Sequence, residues 1–270
     1  MLWPDRNSIR MVLVGAVLLL AAVLASSTTR PTEVEAANEP NDPGQHRPVL
    51  VELFTSEGCS SCPPADALLA RLDAAQPVPG AQVIVLSEHV TYWNSQGWHD
   101  PFSFDAMTDR QRRYGGRFGL SDVYTPQVVV DGAAEMVGSD ERKVTQAIVR
   151  ATASPKTELT IAEAVVSSGA VHFSVRDGNP SGTVLMAALA DDSAQSSVAH
   201  GENGGRTLRH VAVVRVLQEM GKGAGDGRTL NLKLPAEIGH EGATPIRLVV
   251  FLVDSRSGHV LTAAEQIIRR

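Results

Sequence analysis

Apolar and polar positions along the chain fall into two regimes. Over residues 48–154, short near-continuous apolar runs alternate with longer stretches at helical spacing, whereas from Thr157 onward the dominant pattern is alternation with period two. In the first regime, residues 49–54 (VLVELF) form an apolar run broken only by Glu52, as expected of a strand buried on both faces of a covered sheet. Leu68, Leu69 and Leu72 share one face of a helix predicted over residues 65–75, with Asp66 near its positive end. Residues 83–86 (VIVL) supply a second buried strand, and strand, helix and parallel strand together predict a right-handed βαβ unit. Residues 104–118 read as a polar, arginine-rich helix, 127–130 as a third strand, Asp131-Gly132 as a hairpin turn and 134–137 as a fourth strand. An amphipathic helix over 140–153, with Val144, Ala147 and Ile148 on one face, closes this part, and Ser154-Pro155 marks its end.

In the second regime Val171, Phe173 and Val175 alternate with polar neighbours, as do Leu230, Leu232 and Leu234. Residues 209–217 and 247–253 are longer apolar strands, and Asp254 to Gly258 (DSRSG) connects the latter to residues 260–267. Roughly seven strands in about 110 residues predict a β-sandwich over 155–270. There is no internal repeat and no second catalytic signature in it.

The first residues follow neither pattern. Arg6 and Arg10 precede an uninterrupted apolar run at 11–25, and Ala25, Ser26 and Ser27 offer small residues for cleavage, so 1–27 reads as a secretory signal. The run is short for a span of about 20 apolar residues; an uncleaved anchor is the alternative. Residues 28–47 are rich in Pro, Glu, Asn and Asp and read as a flexible tether. The expected location is periplasmic or secreted, where disulfides persist.

Composition narrows the function classes. Of 270 residues 43% are hydrophobic and 20% charged, and the formal charge of −6 supplies no broad basic surface, so nucleic acid is not an expected partner. Two cysteines exclude a disulfide-rich scaffold and a four-cysteine zinc site. Those two, Cys59 and Cys62, stand in Thr55-Ser56-Glu57-Gly58-Cys59-Ser60-Ser61-Cys62-Pro63-Pro64, directly after a buried strand and before a helix. Sulfurs at a helix N-terminus meet unpaired N–H groups and the positive end of the dipole, which stabilise the thiolate that performs disulfide exchange. Cys59, earlier and expected to be more exposed, would attack, and Cys62 would resolve the mixed disulfide. A bond closing a loop of about four residues stabilises by only about 2 kcal/mol through chain entropy, little for a purely structural staple. Because a residue before proline is biased away from the α region, and both Cys62 and Pro63 precede one, the regular helix is expected to begin only at Pro64. The uncharged Ser60-Ser61 pair leaves oxidant, reductant and isomerase all open.

The Cys-Ser-Ser-Cys segment, the stretch Tyr124-Thr125-Pro126-Gln127-Val128-Val129-Val130-Asp131-Gly132, the insertion from His89-Val90-Thr91-Tyr92-Trp93-Asn94 to Gly97-Trp98-His99-Asp100-Pro101-Phe102, and Asn203-Gly204-Gly205-Arg206-Thr207-Leu208-Arg209-His210-Val211 resemble an uncharacterised exported family known as domain of unknown function 1223. The resemblance covers Val49 to about Leu252. It implies a thioredoxin-like α/β domain at 48–154, ahead of the β-sandwich, and no established substrate. It also implies that Thr125-Pro126 stands where thioredoxin-like proteins carry their cis-proline loop, with Thr125 pairing a bound peptide by backbone and Pro126 lying against the sulfurs. Glu52 resembles the buried acid of thioredoxins, a candidate proton relay for Cys62, although it lies seven rather than six residues before Cys59; an ordinary carboxylate paired with an arginine is the alternative.

Eight of the twelve Phe, Trp and Tyr residues fall between Tyr92 and Tyr124. Trp93 and Trp98 are the candidates to line a polypeptide groove, while most of the other rings are expected to pack as a satellite core. His89 and His99 in the same insertion are candidate ligands, with Cys59 and Cys62, for copper or zinc. His210 is expected to serve packing or interdomain hydrogen bonding. Together these readings predict an exported thiol–disulfide oxidoreductase acting on polypeptide thiols or disulfides, with no cofactor beyond its cysteines and a redox partner of unspecified kind. A metallochaperone and a non-catalytic thioredoxin-like adaptor are the alternatives.

Overall fold

The apolar run at 49–54 becomes the heart of a sheet: β1 (Arg47–Thr55) is buried from Val49 through Thr55. In the computed structural model, which describes residues 46–178, 181–223, 225, 227–235 and 244–268, both faces of this strand are covered. Val49, Val51 and Leu53 pack against Leu68, Leu69 and Leu72 of α1 (Pro63–Ala75) and Val144, Ala147 and Ile148 of α3 (Glu141–Thr152). Leu50 and Phe54 point the other way, toward Met107 and Tyr114 of α2 (Asp105–Phe118). Each such fully buried aliphatic side chain contributes about 1.5–3 kcal/mol. The signal or anchor expected at 1–27, and the tether at 28–47 apart from its last two residues, lie outside the described residues.

β2 (Ala81–His89) runs parallel to β1, from Arg47↔Ala81 to Thr55↔His89. β3 (Gln127–Val130) pairs antiparallel with the other edge of β1, and β4 (Ala134–Val137) follows it in a hairpin. The turn uses left-handed backbone at Asp131 (φ 48°) and Gly132 (φ 60°). A Cβ on Gly132 would stand 2.5 Å from the Gly258 carbonyl oxygen, so only glycine fits there.

Beyond Pro155 the helices end among the described residues, but the sheet does not. Seven strands follow: β5 (Leu159–Ser167), β6 (Ala170–Asp177), β7 (Thr183–Ser197), β8 (Thr207–Lys222), β9 (Arg228–Lys233), β10 (Ile246–Asp254) and β11 (Val260–Ile268). Four of them extend the first sheet into an eight-stranded mixed one of order β11-β10-β7-β8-β2-β1-β3-β4; β5, β6 and β9 form a second, three-stranded sheet. The junction is parallel pairing of β8 with β2 at Ser87↔Val213. Val171, Phe173, Val175, Leu230 and Leu232 of the small sheet bury against Leu185, Leu189, Leu248, Val250 and Leu252 of the large one. The fold is thus a mostly-sheet α/β arrangement, one large mixed sheet with a second sheet packed on part of it.

Polar anchors cross Ser154-Pro155 as well. Arg247 on β10 is 4% exposed and holds Asp73 of α1 (2.7 and 3.0 Å), Asp192 of β7 (2.6 Å) and Glu265 of β11 (3.2 Å). Asp131 accepts from the Leu50 N–H (2.9 Å), pairs with Lys156, and its carbonyl accepts from the Val260 N–H (2.8 Å). No helix among the described residues is long and apolar enough to cross a membrane.

Candidate functional site

β1 ends at Thr55, and seven residues later the chain enters α1, with Cys62 as its N-cap. The expected delay of the helix to Pro64 does not occur. Cys62 is itself α-helical (φ −77°, ψ −38°), because its carbonyl is committed to the first turn, accepting from the N–H groups of Ala65 (2.8 Å) and Asp66 (3.1 Å). Cys59 and Cys62 are joined by a disulfide, with Cα atoms 5.4 Å apart.

Both cysteines are completely buried, whereas Ser60 and Ser61 between them are exposed. This corrects the expectation of an exposed Cys59. Two neighbours lie against the cysteine loop. Trp93 packs on Gly58 so nearly that a Cβ there would stand 3.2 Å from the Trp93 Cβ. From the loop 198–206 between β7 and β8, Asn203, fully buried, donates from Nδ2 to the carbonyls of Glu57 (2.8 Å) and Cys59 (2.9 Å). Glu202 accepts from the Ser60 N–H at 2.9 Å.

Buried charge surrounds the pair. His210 on β8 faces the Glu57 Oε1 (3.3 Å) and the Asp66 Oδ1 (3.5 Å), the first two residues before Cys59 and the second one helical turn after Cys62. Burial alone would favour neutral imidazole. The two carboxylates outweigh it and push His210 up to about 10, so the ring is an imidazolium at neutral pH. Burial opposes ionisation of Glu57 too, yet hydrogen bonds from His210, Ser196 and Trp98 hold its carboxyl below the usual range. Next to this trio, His89 packs edge-on against His210 (centroids 4.6 Å apart) and bonds through Nδ1 to Asp100 Oδ2 at 2.7 Å. Asp100, desolvated but opposed by His89 and by the N–H groups of Glu57 and Phe102, is pulled down to about 2. Asp100 thereby ties the histidine to the backbone of the cysteine loop, accepting from the Glu57 N–H at 2.8 Å.

The remaining expected site residues divide. The Thr125-Pro126 bond is cis, Thr125 accepts from Trp93 Nε1 at 2.7 Å, and Pro126 lies beside Gly138, itself packed on Ala65 of α1. Trp98 donates from Nε1 to Glu57 Oε2 at 2.8 Å. Both tryptophans are half-buried. Glu52 is not brought to the cysteines. It shares the β1 face of Leu50 and Phe54, opposite α1, where it is paired with Arg110 and accepts from the Tyr114 hydroxyl at 2.6 Å. That is the arginine-paired alternative, on the face of β1 turned away from α1 and Cys62 rather than toward a sulfur it could serve as proton relay. Glu88 shares this pocket; burial, and then the charge of Glu52, raise its carboxyl well above the ordinary value. His99 is exposed and His89 is engaged by Asp100; among the described residues no group of three or more His, Cys, Asp or Glu side chains is arranged to hold a metal ion.

Sequence reasoning missed Glu57, Asn203 and Glu202 as neighbours of the disulfide, and assigned Asp66 only to the helix dipole. His210 does make the hydrogen bond across the two regimes that was expected of it. Its signal lies in β8, where Leu208, His210, Ala212 and Val214 are the buried alternate positions, a histidine in a core-facing row.

A solved structure shares this architecture: the crystal structure of protein AGR_C_4864 from Agrobacterium tumefaciens superposes with a TM-score of 0.59 at 26% identity, covering 82% of this chain and 93% of that one. No curated protein matches the chain. The model of the family described as protein of unknown function (DUF1223) matches residues 50–252. A chain with this strand–cysteine–helix site and a match of that extent belongs to the DUF1223 family.

Proposed function

We propose that this protein is an exported thiol–disulfide oxidoreductase, with a thioredoxin-like arrangement over β1–α3 and a β-sandwich built by β5–β11 sharing its large sheet. The observation that carries the reading is the Cys59–Cys62 disulfide closed at the first turn of α1, immediately after a central strand. A four-residue loop stabilises the fold little, and the ends it joins are already held by the Cys62 N–H to Cys59 carbonyl hydrogen bond at 3.2 Å. A redox role explains the bond better than a structural one. Thr125, at the cis bond to Pro126, accepts from Trp93, which packs on Gly58, so the segment expected to pair with a client's backbone is tied to the cysteine loop. Export rests on residues 1–27 alone.

In the oxidising direction a client thiolate attacks Cys59, the S–S bond breaks, and Cys62 leaves as thiolate; a second client thiolate then displaces Cys59, so the client loses two electrons and the pair gains them. The reducing direction is the reverse, with Cys59 attacking the client disulfide and Cys62 resolving. Either way a second thiol or disulfide partner resets the pair. The test is Cys62→Ala in cells exporting the full chain. Covalent complexes through Cys59, absent in Cys59→Ser/Cys62→Ser, are the expected result. No such complexes, together with no reduction or refolding activity on insulin or another disulfide protein, overturns the proposal. Retained partner binding by the double serine variant would instead identify an adaptor.

A further inference from the structure

The loop over the disulfide is built as a unit. The Val198 N–H donates to the Arg206 carbonyl (2.9 Å), the Gly205 N–H to the Val198 carbonyl (2.8 Å), and the Arg206 guanidinium to Asn203 Oδ1 (2.6 Å). Of residues 198–206 only Val198 and Asn203 are buried. Three hydrogen bonds from it reach main-chain groups of the cysteine loop, and the Glu202 carboxylate also meets the Ser60 hydroxyl. Asn203 supplies donors to the carbonyls of Glu57 and Cys59, and Glu202 supplies an acceptor to the Ser60 N–H. The cysteine loop is folded into two tight turns there, the Cys59 N–H reaching back to the Ser56 carbonyl (3.2 Å) and the Cys62 N–H to the Cys59 carbonyl (3.2 Å), and the two side chains clamp those turns from outside.

We propose that residues 198–206 are a displaceable cap on the cysteine loop, and that release of the Asn203 and Glu202 hydrogen bonds to Glu57, Cys59 and Ser60 opens the buried disulfide to a polypeptide client. This rests on the thiol–disulfide reading and adds to it the step that admits a client to a fully buried pair. The cap is suited to moving. It is largely exposed, has few apolar anchors, and sits at the tip of a hairpin whose strands stay paired below it, the kind of segment that opens locally without global unfolding. Its other fastening is steric and narrow: Gly201 (φ +75°) lies against Trp98, and a Cβ there would stand 3.1 Å from the Trp98 Cβ.

The test measures how fast the oxidised full chain is reduced by tris(carboxyethyl)phosphine, which becomes the phosphine oxide with oxygen from water as the two sulfurs become thiols. Thiols are counted by alkylation and mass. Asn203→Ala removes the two hydrogen bonds to the cysteine loop and the one that Arg206 donates within the cap, and reduction should accelerate roughly tenfold at equal phosphine. Gly201→Ala, which wedges the loop from Trp98 without touching the cysteine loop, should accelerate it as well. Circular dichroism and the urea midpoint identify a variant whose gain comes from unfolding, and Glu202→Gln, an exposed change, then serves in its place with a smaller gain. Equal rates for the wild type and the folded variants overturn the cap. Equal rates with Cys62→Ala trapping intact remove the cap and leave the oxidoreductase; accelerated reduction without any trapping keeps the cap and removes the oxidoreductase.

Discussion

His210 offers the sharpest test of the electrostatics around the disulfide. In the unfolded chain an imidazole titrates near 6.5, and in the fold Glu57 and Asp66 raise it to about 10, against the opposing effect of burial. A group raised on folding contributes stability that is fully present below its unfolded value and disappears as pH climbs through its folded value. His210 therefore stabilises the fold at pH 6.5 and below, and that contribution is lost between pH 6.5 and 10. At about 1.4 kcal/mol per pH unit the interval gives roughly 5 kcal/mol at most. The groups facing the ring are Glu57 from the cysteine loop, Asp66 from α1, and His89 and Phe102 from the insertion. Replacing His210 by Gln leaves the two carboxylates buried without their cation, a loss of about 3–5 kcal/mol for a broken buried pair. Urea unfolding followed by tryptophan fluorescence, without reductant, would be run on the wild type and His210→Gln at intervals from pH 6.5 to 10. The difference between the two should be largest at pH 6.5 and shrink steadily toward pH 10; titrations common to both proteins, including that of Glu88, cancel in it. A difference that stays constant across the window would mean that His210 is neutral in the fold, and the account of the carboxylates on either side of it would fall.

Three further outcomes follow from the packing. Glu88, raised well above its ordinary value by burial and Glu52, holds its proton to higher pH in the fold than in the unfolded chain, so Glu88→Gln should gain stability over the wild type on going from pH 4 to pH 7, read from urea midpoints. Arg247→Met strands Asp73, Asp192 and Glu265 and should cost about 3–5 kcal/mol, visible as a large fall in the calorimetric Tm. Gly132→Ala meets both a left-handed φ and the Gly258 carbonyl, whereas Gly80→Ala at φ 75° meets nothing within 4 Å. The second should cost about 1–2 kcal/mol, and the first distinctly more in the same denaturation assay.

How much of this was legible in the chain depended on whether the signal was local. The bounds of β3 and β4 follow from four apolar or alternating residues on either side of Asp131-Gly132, and the structure agrees at both strands. β1 and β2 run longer than their apolar cores because strand pairing carries polar residues such as Glu88 and His89 into the ladder. Period two after Thr157 correctly announced strands, but periodicity says nothing of which sheet a strand joins, and four of them extend the first one. At the site, the cysteines announced themselves by spacing and context. Their burial did not, because Asn203 lies 144 residues from Cys59 and belongs to a loop with no periodic signal. Glu52 misled for a related reason: a carboxylate in an apolar run needs a partner, and the sequence does not say that Arg110, on the opposite side of the sheet from α1, is the one that meets it.

The pairing of β8 with β2 makes the two parts of the molecule poor candidates for separation or reuse. A fragment ending at Ser154 would retain both sulfurs and lose the imidazolium, the asparagine and the hairpin that roof them. It would also present the bare flank of β2 to solvent, an invitation to strands from other polypeptides. Grafting the cysteine-bearing part onto another scaffold would therefore require this hairpin to travel with it.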